Sequence, residues 1–113
     1  MKIGFIGLGN MASAMMGGIL KKELYSAEDI IGSDKSEDSV QKAAKTFGIH
    51  TTTDNLEVAQ TADVLILAVK PQFFPEVIAQ IKGEVREETL IISIAPGKTM
   101  ESVSYTHLRA HET

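Results

Sequence analysis

The chain has 113 residues, a formal net charge of −4 and no cysteine. This length suits one domain with its own core, and the absence of cysteine excludes disulfides, cysteine-ligated zinc and thiol catalysis. The net negative charge argues against a nucleic-acid partner, and no apolar run approaches the length of a membrane span. We therefore expect one globular, cytoplasmic domain that binds neither nucleic acid nor membrane, and the histidine spacing predicts no metal site.

The first predicted element is an apolar strand over Ile3–Ile6, which runs directly into a glycine-rich segment. That segment fits the pattern G-x-G-x-x-G/A between a strand and a helix, which is typical of dinucleotide binding. Gly7 would allow the tight turn, Gly9 would let the backbone approach a pyrophosphate, and Ala12 would let the helix pack close to the strand. The first helical N–H groups would face the phosphates. The predicted cofactor contacts here are Gly7, Leu8, Gly9, Asn10, Met11 and Ala12.

A helix is predicted over residues 10–22. Met11, Ala14, Met15 and Gly18 recur at helical spacing, so we expect this face to meet the sheet. Two consecutive glycines, at positions 17 and 18, would weaken the helix; close packing against a neighbour is the expected reason for them, and a kink in the helix is the alternative.

The second predicted strand covers residues 29–34, and its end bears on the choice of cofactor. An acidic residue at this point favours the ribose hydroxyls of NAD, whereas hydroxyl and basic residues suit the 2′-phosphate of NADP. Asp34 argues for NAD, while Ser33, Lys35 and Ser36 suit NADP, so both cofactors stay open. Ser36 is also a plausible N-cap for a helix over residues 36–47.

A short strand over residues 49–52 precedes Asp54, which is expected to cap a helix, with Glu57 completing a capping box. Asn55 lies at the start of that helix, and the pattern alone favours a solvent-facing turn residue.

The clearest strand pattern covers residues 62–69 and ends at Lys70-Pro71, and another buried strand covers residues 89–95. Between them, an apolar stripe predicts a helix ending before Gly83. In open α/β sheets ligands bind at the carboxyl ends of the strands, so residues 68–71 should form a second wall of the site. Lys70 has two equally plausible interpretations: it is an exposed lysine in a loop, or it contacts a phosphate or a carboxylate.

The alternation of strands and helices predicts an α/β fold of Rossmann type. We expect three α/β/α layers around a mostly parallel sheet with strand order 3-2-1-4-5. The cofactor would lie over the ends of strands 1 and 4.

With these motifs in hand, the sequence resembles the N-terminal domain of pyrroline-5-carboxylate reductases. The resemblance rests on the glycine-rich start, on Ala-Val-Lys-Pro at residues 68–71 and on Ser-Ile-Ala-Pro-Gly at residues 93–97. It implies NAD(P)H-dependent reduction of 1-pyrroline-5-carboxylate to proline. It also implies cofactor contacts besides those of the glycine-rich segment: Ser33, Asp34, Asn55, Ala68, Val69, Lys70, Pro71 and, near the nicotinamide, Ala95.

The resemblance covers residues 1–103, which we expect to be the NAD(P)-binding domain. Residues 104–113 do not match the helix that the family has next, and we interpret them as a non-native tail. The family's helical second domain, which binds substrate and forms the dimer, is expected to be absent. The chain alone should then bind cofactor weakly, hold no catalytic residue and be inactive, although its full-length parent would be a homo-oligomer.

Two alternatives stay open. One is a hydroxy-acid dehydrogenase related to 3-hydroxyisobutyrate dehydrogenase, which opens with a similar glycine motif. The other is a dinucleotide-binding module without catalytic activity.

Overall fold

The computed structural model describes residues 1–94 in full and residues 102–104 by their backbone. Strands and helices alternate through residue 94, as the hydrophobic pattern predicts. Short 3-10 turns at Ala27–Asp29 and Pro71–Phe73 precede the second strand and the fourth helix. The elements are β1 (Ile3–Ile6), α1 (Asn10–Lys21), β2 (Ile30–Ser33), α2 (Glu37–Phe47), β3 (His50–Thr52), α3 (Asn55–Thr61), β4 (Val64–Leu67), α4 (Phe74–Ile81), β5 (Leu90–Ile94) and β6 (Ser102–Ser104).

The strands form one sheet in the order β3-β2-β1-β4-β5-β6. The first five are parallel, which confirms the predicted order 3-2-1-4-5. The register places Ile6 beside Ser33 of β2 and beside Leu67 of β4, so the three strands end level with one another. Their carboxyl ends therefore form a common edge, which is where open α/β sheets bind ligands.

Helices cover both faces of the sheet, as the predicted three-layer arrangement requires. Buried residues of α1 and α2 pack with Phe5 in one apolar cluster, and those of α3 and α4 pack with Leu65 in a second. Gly4 allows α3 to approach β1 closely. A Cβ atom at Gly4 would lie 2.6 Å from Val58 Cγ1 and 2.7 Å from Ala62 Cβ, so any side chain there would push α3 away from the sheet.

The face that α1 turns to the sheet differs from the prediction. Ala12 and Met16 are fully buried, whereas Ala14 and Gly18 are exposed. A Cβ atom at Gly18 would meet no atom of the described residues within 4 Å, so close packing does not account for this glycine. Met11 and Met15 of the predicted face do pack against the same apolar cluster as Ala12 and Met16, so the inward face is shifted from the prediction rather than opposite to it.

The hydrophobic pattern does not predict β6, which pairs antiparallel with β5 so that Val103 lies opposite Ser93. Three residues are too few for an alternating pattern, and only the pairing with β5 defines this strand. Ser104, the first residue of the expected tail, therefore belongs to the sheet. Ala95 and residues 105–113 lie outside the described residues.

The start of α3 is capped as predicted, because the Asp54 carboxylate accepts a hydrogen bond from the Leu56 N–H at 3.0 Å. Glu57 does not complete a capping box. Its carboxylate instead pairs with Nε2 of His50 at 2.8 Å, and this hydrogen bond holds the pKa of Glu57 below its usual value. None of the helices within residues 1–94 is long and apolar enough to cross a membrane.

Candidate functional site

A cleft of about 720 Å³ opens at the carboxyl edge of the sheet. It lies between the loops that follow β1 and β2, the start of α3, the end of β4 and one face of α4. Of the three residues considered for a 2′-phosphate, Lys35 and Ser36 line it and Ser33 does not. The predicted cofactor contacts that line the cleft are Gly7, Gly9, Asp34, Asn55, Ala68, Val69 and Lys70.

The two glycines of the fingerprint have different roles. Gly7 has a φ of +105°, and a Cβ atom there would lie 2.7 Å from the carbonyl oxygen of Ala68. Its N–H donates to the Ser33 carbonyl at 2.8 Å, so the turn rests against the ends of both neighbouring strands. Gly9 is exposed to the cleft, and a Cβ atom there would meet no atom of the described residues within 4 Å. Gly7 is therefore required by the fold, whereas Gly9 leaves space that a ligand can fill.

The N-terminus of α1 differs from those of α2 and α3. Ser36 and Asp54 cap α2 and α3 with side-chain hydrogen bonds, but Gly9 has no side chain with which to cap α1. The first turn of α1 also contains no acidic residue, whereas that of α2 contains two. The first N–H groups of a helix have no partner within the helix and lie at the positive end of its dipole. The start of α1 is therefore suited to an anion.

The other fingerprint residues do not line the cleft with their side chains. Leu8 is buried against β2, where a Cβ atom at Gly32 would lie 2.6 Å from Leu8 Cδ2. Ala12 is fully buried, Met11 packs against the core and Asn10 is exposed. Any contact of these four residues with a ligand in the cleft would come mainly from their backbone.

Asp34 joins the two loops that flank the cleft. Its Oδ2 accepts a hydrogen bond from the Leu8 N–H at 2.8 Å, and its Oδ1 accepts one from the Ser36 N–H at 2.9 Å. One carboxylate oxygen therefore holds the fingerprint loop against the loop after β2, and the other closes a local turn within that second loop. This structural role is not apparent from the sequence.

A chain of polar side chains crosses one wall of the cleft. The fully buried Ser33 hydroxyl donates to Asn55 Oδ1 at 2.7 Å, and Asn55 Nδ2 donates to Gln80 Oε1 at 2.7 Å. The pattern alone favoured a solvent-facing turn for Asn55, but the structure places it in the cleft. Ser33 lies beneath Asn55 and orients it, so any influence of Ser33 on a ligand would pass through Asn55.

The end of β4 forms the opposite wall, as predicted. The Ala68 N–H donates to the Ile6 carbonyl at 2.8 Å, which continues the parallel ladder beyond β4. Val69 and Lys70 follow in the cleft lining. Pro71 is exposed and opens the 3-10 turn before α4, where its fixed φ suits the first helical position.

The contribution of α4 to the cleft is not among the features predicted from the sequence. Phe73, Glu76 and Gln80 line the cleft from this part of the chain. The signal was present in the helical period, because the apolar stripe at residues 74, 77, 78 and 81 leaves residues 73, 76 and 80 together on the adjoining face.

The charged side chains around the cleft are of both signs. Lys35 and Lys70 are the cations of the lining, and Asp34, Asp54 and Glu76 are the carboxylates. Lys35 Nζ lies 3.3 Å from Glu76 Oε2. Within the described part of the chain, no group of three or more histidine or carboxylate side chains is placed to hold a metal ion.

Comparisons with known proteins agree with this geometry. Residues 2–97 match the family described as NADP oxidoreductase, coenzyme F420-dependent. The chain belongs to this family. Among curated relatives, it is 44% identical over 96 residues to the pyrroline-5-carboxylate reductase of Methanosarcina acetivorans, a match that covers 85% of this chain and 36% of the relative. The chain thus spans about a third of the length of the curated relatives it matches.

Two solved structures are similar. The pyrroline-5-carboxylate reductase of Coxiella burnetii has a TM-score of 0.77 and 36% identity, covering 87% of this chain and 36% of that one. The pyrroline carboxylate reductase of Plasmodium falciparum, solved with NADP bound, has a TM-score of 0.70 and 31% identity, covering 83% and 33%. The resemblance to the N-terminal domain of these reductases is confirmed.

Proposed function

We propose that this chain is the cofactor-binding portion of a pyrroline-5-carboxylate reductase that uses NADP(H). The observation that carries the proposal is the uncapped start of α1, which meets the cleft at Gly9. A pyrophosphate there would accept hydrogen bonds from the first N–H groups of the helix. The pyrroline-5-carboxylate reductases among its relatives favour this proposal over a hydroxy-acid dehydrogenase or a module without catalytic activity.

The residues of the cleft fit a phosphorylated dinucleotide. The space beside Gly9 accommodates a group that approaches the backbone. Lys35 and Ser36 follow β2, where the ribose of a bound dinucleotide is expected. The Asp34 carboxylate already accepts one backbone N–H on each oxygen, which leaves fewer of its lone pairs for the two ribose hydroxyls of NAD. These contacts, and the NADP in the Plasmodium falciparum relative, support NADP.

When bound, the cofactor would supply the hydride that reduces the imine carbon of 1-pyrroline-5-carboxylate. The role of this chain is to bind the cofactor and to orient it. The helix N-terminus would hold the phosphates, Asn55 would present a polar group fixed by Ser33, and the Ala68–Val69 wall would exclude water. Pro71 and Ala95 remain proposed contacts.

The proposal assigns residues 1–103 to cofactor binding, and substrate binding and oligomerisation to the part of the reductase that the relatives contain beyond the matched third. Residues 104–113 remain, in this proposal, a non-native tail, although Ser104 pairs within the sheet. We also propose that the protein is cytoplasmic and that the full-length reductase is a homo-oligomer. Sequencing the genomic reading frame beyond Val103 tests this division: a helical extension supports it, and a stop codon contradicts it.

Binding is tested directly by titrating the isotope-labelled 113-residue chain with NADPH and NADH and following amide resonances by NMR. We expect both to shift the amides of residues 7–12 and 68–70, with tighter binding of NADPH. The chain alone should not turn over 1-pyrroline-5-carboxylate with NADPH. Unchanged amides in the glycine-rich loop would contradict cofactor binding, and turnover would contradict the assignment of catalysis to the remainder of the enzyme.

A further inference from the structure

One ion pair connects the two sides of the cleft. Lys35 follows β2, Glu76 lies on α4, and their charged atoms are 3.3 Å apart. The Lys35 ammonium also lies 4.2 Å from the centre of the Phe73 ring, a cation–π contact. The lysine closest to the expected ribose position is therefore held towards α4 by a carboxylate and an aromatic face.

We propose that Glu76 determines the preference between phosphorylated and unphosphorylated dinucleotides, because it competes with the ribose 2′-phosphate for Lys35. This inference rests on the proposed function. A phosphate monoester carries about −1.5 to −2 charges at neutral pH, more than a carboxylate, so it attracts the ammonium more strongly. In the bound state Lys35 turns from Glu76 to the phosphate, and the Glu76 carboxylate is left near a second anion.

The exposure of both side chains explains why Lys35 can leave Glu76 for the phosphate at little cost in free energy. The side chains of Lys35 and Glu76 are 62% and 53% exposed, and exposed ion pairs contribute little to stability. Asp34 and Asp54 differ from Glu76, because their carboxylates accept hydrogen bonds from backbone N–H groups and are anchored by them. Of the three carboxylates that residues 1–94 contribute to the lining, Glu76 is thus the one whose removal changes the charge of the cleft without opening a loop or a helix cap.

The test compares adenosine 2′,5′-bisphosphate with adenosine 5′-monophosphate, two probes that differ only in the 2′-phosphate. Their dissociation constants are measured by NMR titration of the 113-residue chain and its variants. In Glu76→Gln we expect the bisphosphate to bind about two- to fivefold more tightly, the effect typical of removing one exposed charge contact, with binding of the monophosphate unchanged. In the double variant Glu76→Gln/Lys35→Met this gain should disappear.

The matched control is Glu84→Gln, which makes the same change of net charge at an exposed residue that pairs with Gln60 outside the cleft. It should leave both dissociation constants unchanged. Equal tightening of both probes in Glu76→Gln, or a gain that persists without Lys35, would overturn the role of Glu76 while leaving cofactor binding intact. If neither probe bound the unmodified chain, the proposed function itself would fail.

Discussion

Polar groups have different roles at the amino edge and at the carboxyl edge of the parallel strands. At the amino edge the groups pair with one another: Asp63 accepts hydrogen bonds from the backbone N–H of Lys2 at 2.7 Å and from Arg86 at 2.6 Å. The buried Thr89 hydroxyl donates to the Ala62 carbonyl at 3.1 Å. At the carboxyl edge, polar groups line a cleft, and the first turn of α1 has no side-chain cap.

The difference follows from the direction of the chain. In a parallel sheet each crossover helix starts near the carboxyl edge and runs back towards the amino edge, so the positive helix ends collect where the strands finish. At the amino edge, the segments entering the strands can bond to one another. Substitutions at the amino edge should therefore change stability alone. At the carboxyl edge, some substitutions should change stability, because they distort the glycine-rich loop, and others should change the affinity for a ligand.

The largest effect is expected for Gly7→Ala, which should lower the free energy of unfolding by about 2–3 kcal/mol. Alanine would have to adopt the φ of +105° that Gly7 has, and its Cβ would lie 2.7 Å from the carbonyl oxygen of Ala68. Urea denaturation measures the loss. Gly48→Ala is the matched control, with a φ of +70° and open space, so it should cost only about 1 kcal/mol. Equal losses would mean that the close approach to Ala68 is unimportant.

Next in size is Gly9→Ala, which should weaken NADPH binding at least about tenfold, or 1.4 kcal/mol. Because Gly9 is the N-cap of α1 and alanine is a poorer N-cap than glycine, the free energy of unfolding should also fall by about 1 kcal/mol. Its φ of −79° suits any residue, and the added methyl group would project into the cleft. Titration calorimetry or NMR measures the affinity. Gly18→Ala is the control, because it lies exposed in the same helix and should raise stability by about 1 kcal/mol without changing affinity. Full affinity in Gly9→Ala would argue against a phosphate at this point.

At the amino edge, Thr89→Val should lower the free energy of unfolding by about 1 kcal/mol, the typical net value of one hydrogen bond. Valine preserves the shape of the buried side chain, and Arg86 still donates to the Ala62 carbonyl at 2.9 Å. Affinity for NADPH should not change. Thr46→Val, at an exposed position of α2, should stay within about 0.5 kcal/mol. A loss of affinity in Thr89→Val would show that the two edges are coupled.

The smallest effect is the pH dependence contributed by Asp63. Hydrogen bonds from the Lys2 backbone and from Arg86 hold the pKa of Asp63 below its ordinary value of 3.8 in the folded state. The unfolded state therefore binds this proton more readily, so the stabilisation is fully present above pH 3.8 and is lost as the pH falls through the lower folded pKa. Urea denaturation at several acidic pH values should give a shallower pH dependence for Asp63→Asn. If the free energy of unfolding depended on pH equally in both proteins, Asp63 would not contribute to the loss of stability in acid.

Much of the fold could be predicted because its signals are local. The buried apolar runs predicted five parallel strands, and the strand–glycine–helix junction predicted the dinucleotide cleft. The buried side of α1 was predicted only in part: Met11 and Met15 pack against the core as expected, but the predicted stripe left out Ala12 and Met16, which are fully buried. β6 could not be predicted, since its three residues form a strand only through pairing with β5.

The candidate site shows the same division. By itself the sequence determined the turn at Gly7, the open backbone at Gly9 and the wall after β4, because each depends on a short stretch whose geometry its own residues dictate. Only the tertiary structure decided that Ser33 points beneath Asn55 and that Lys35 reaches Glu76. These pairs are separated by 22 and 41 residues, and their contact depends on how strands align and helices pack.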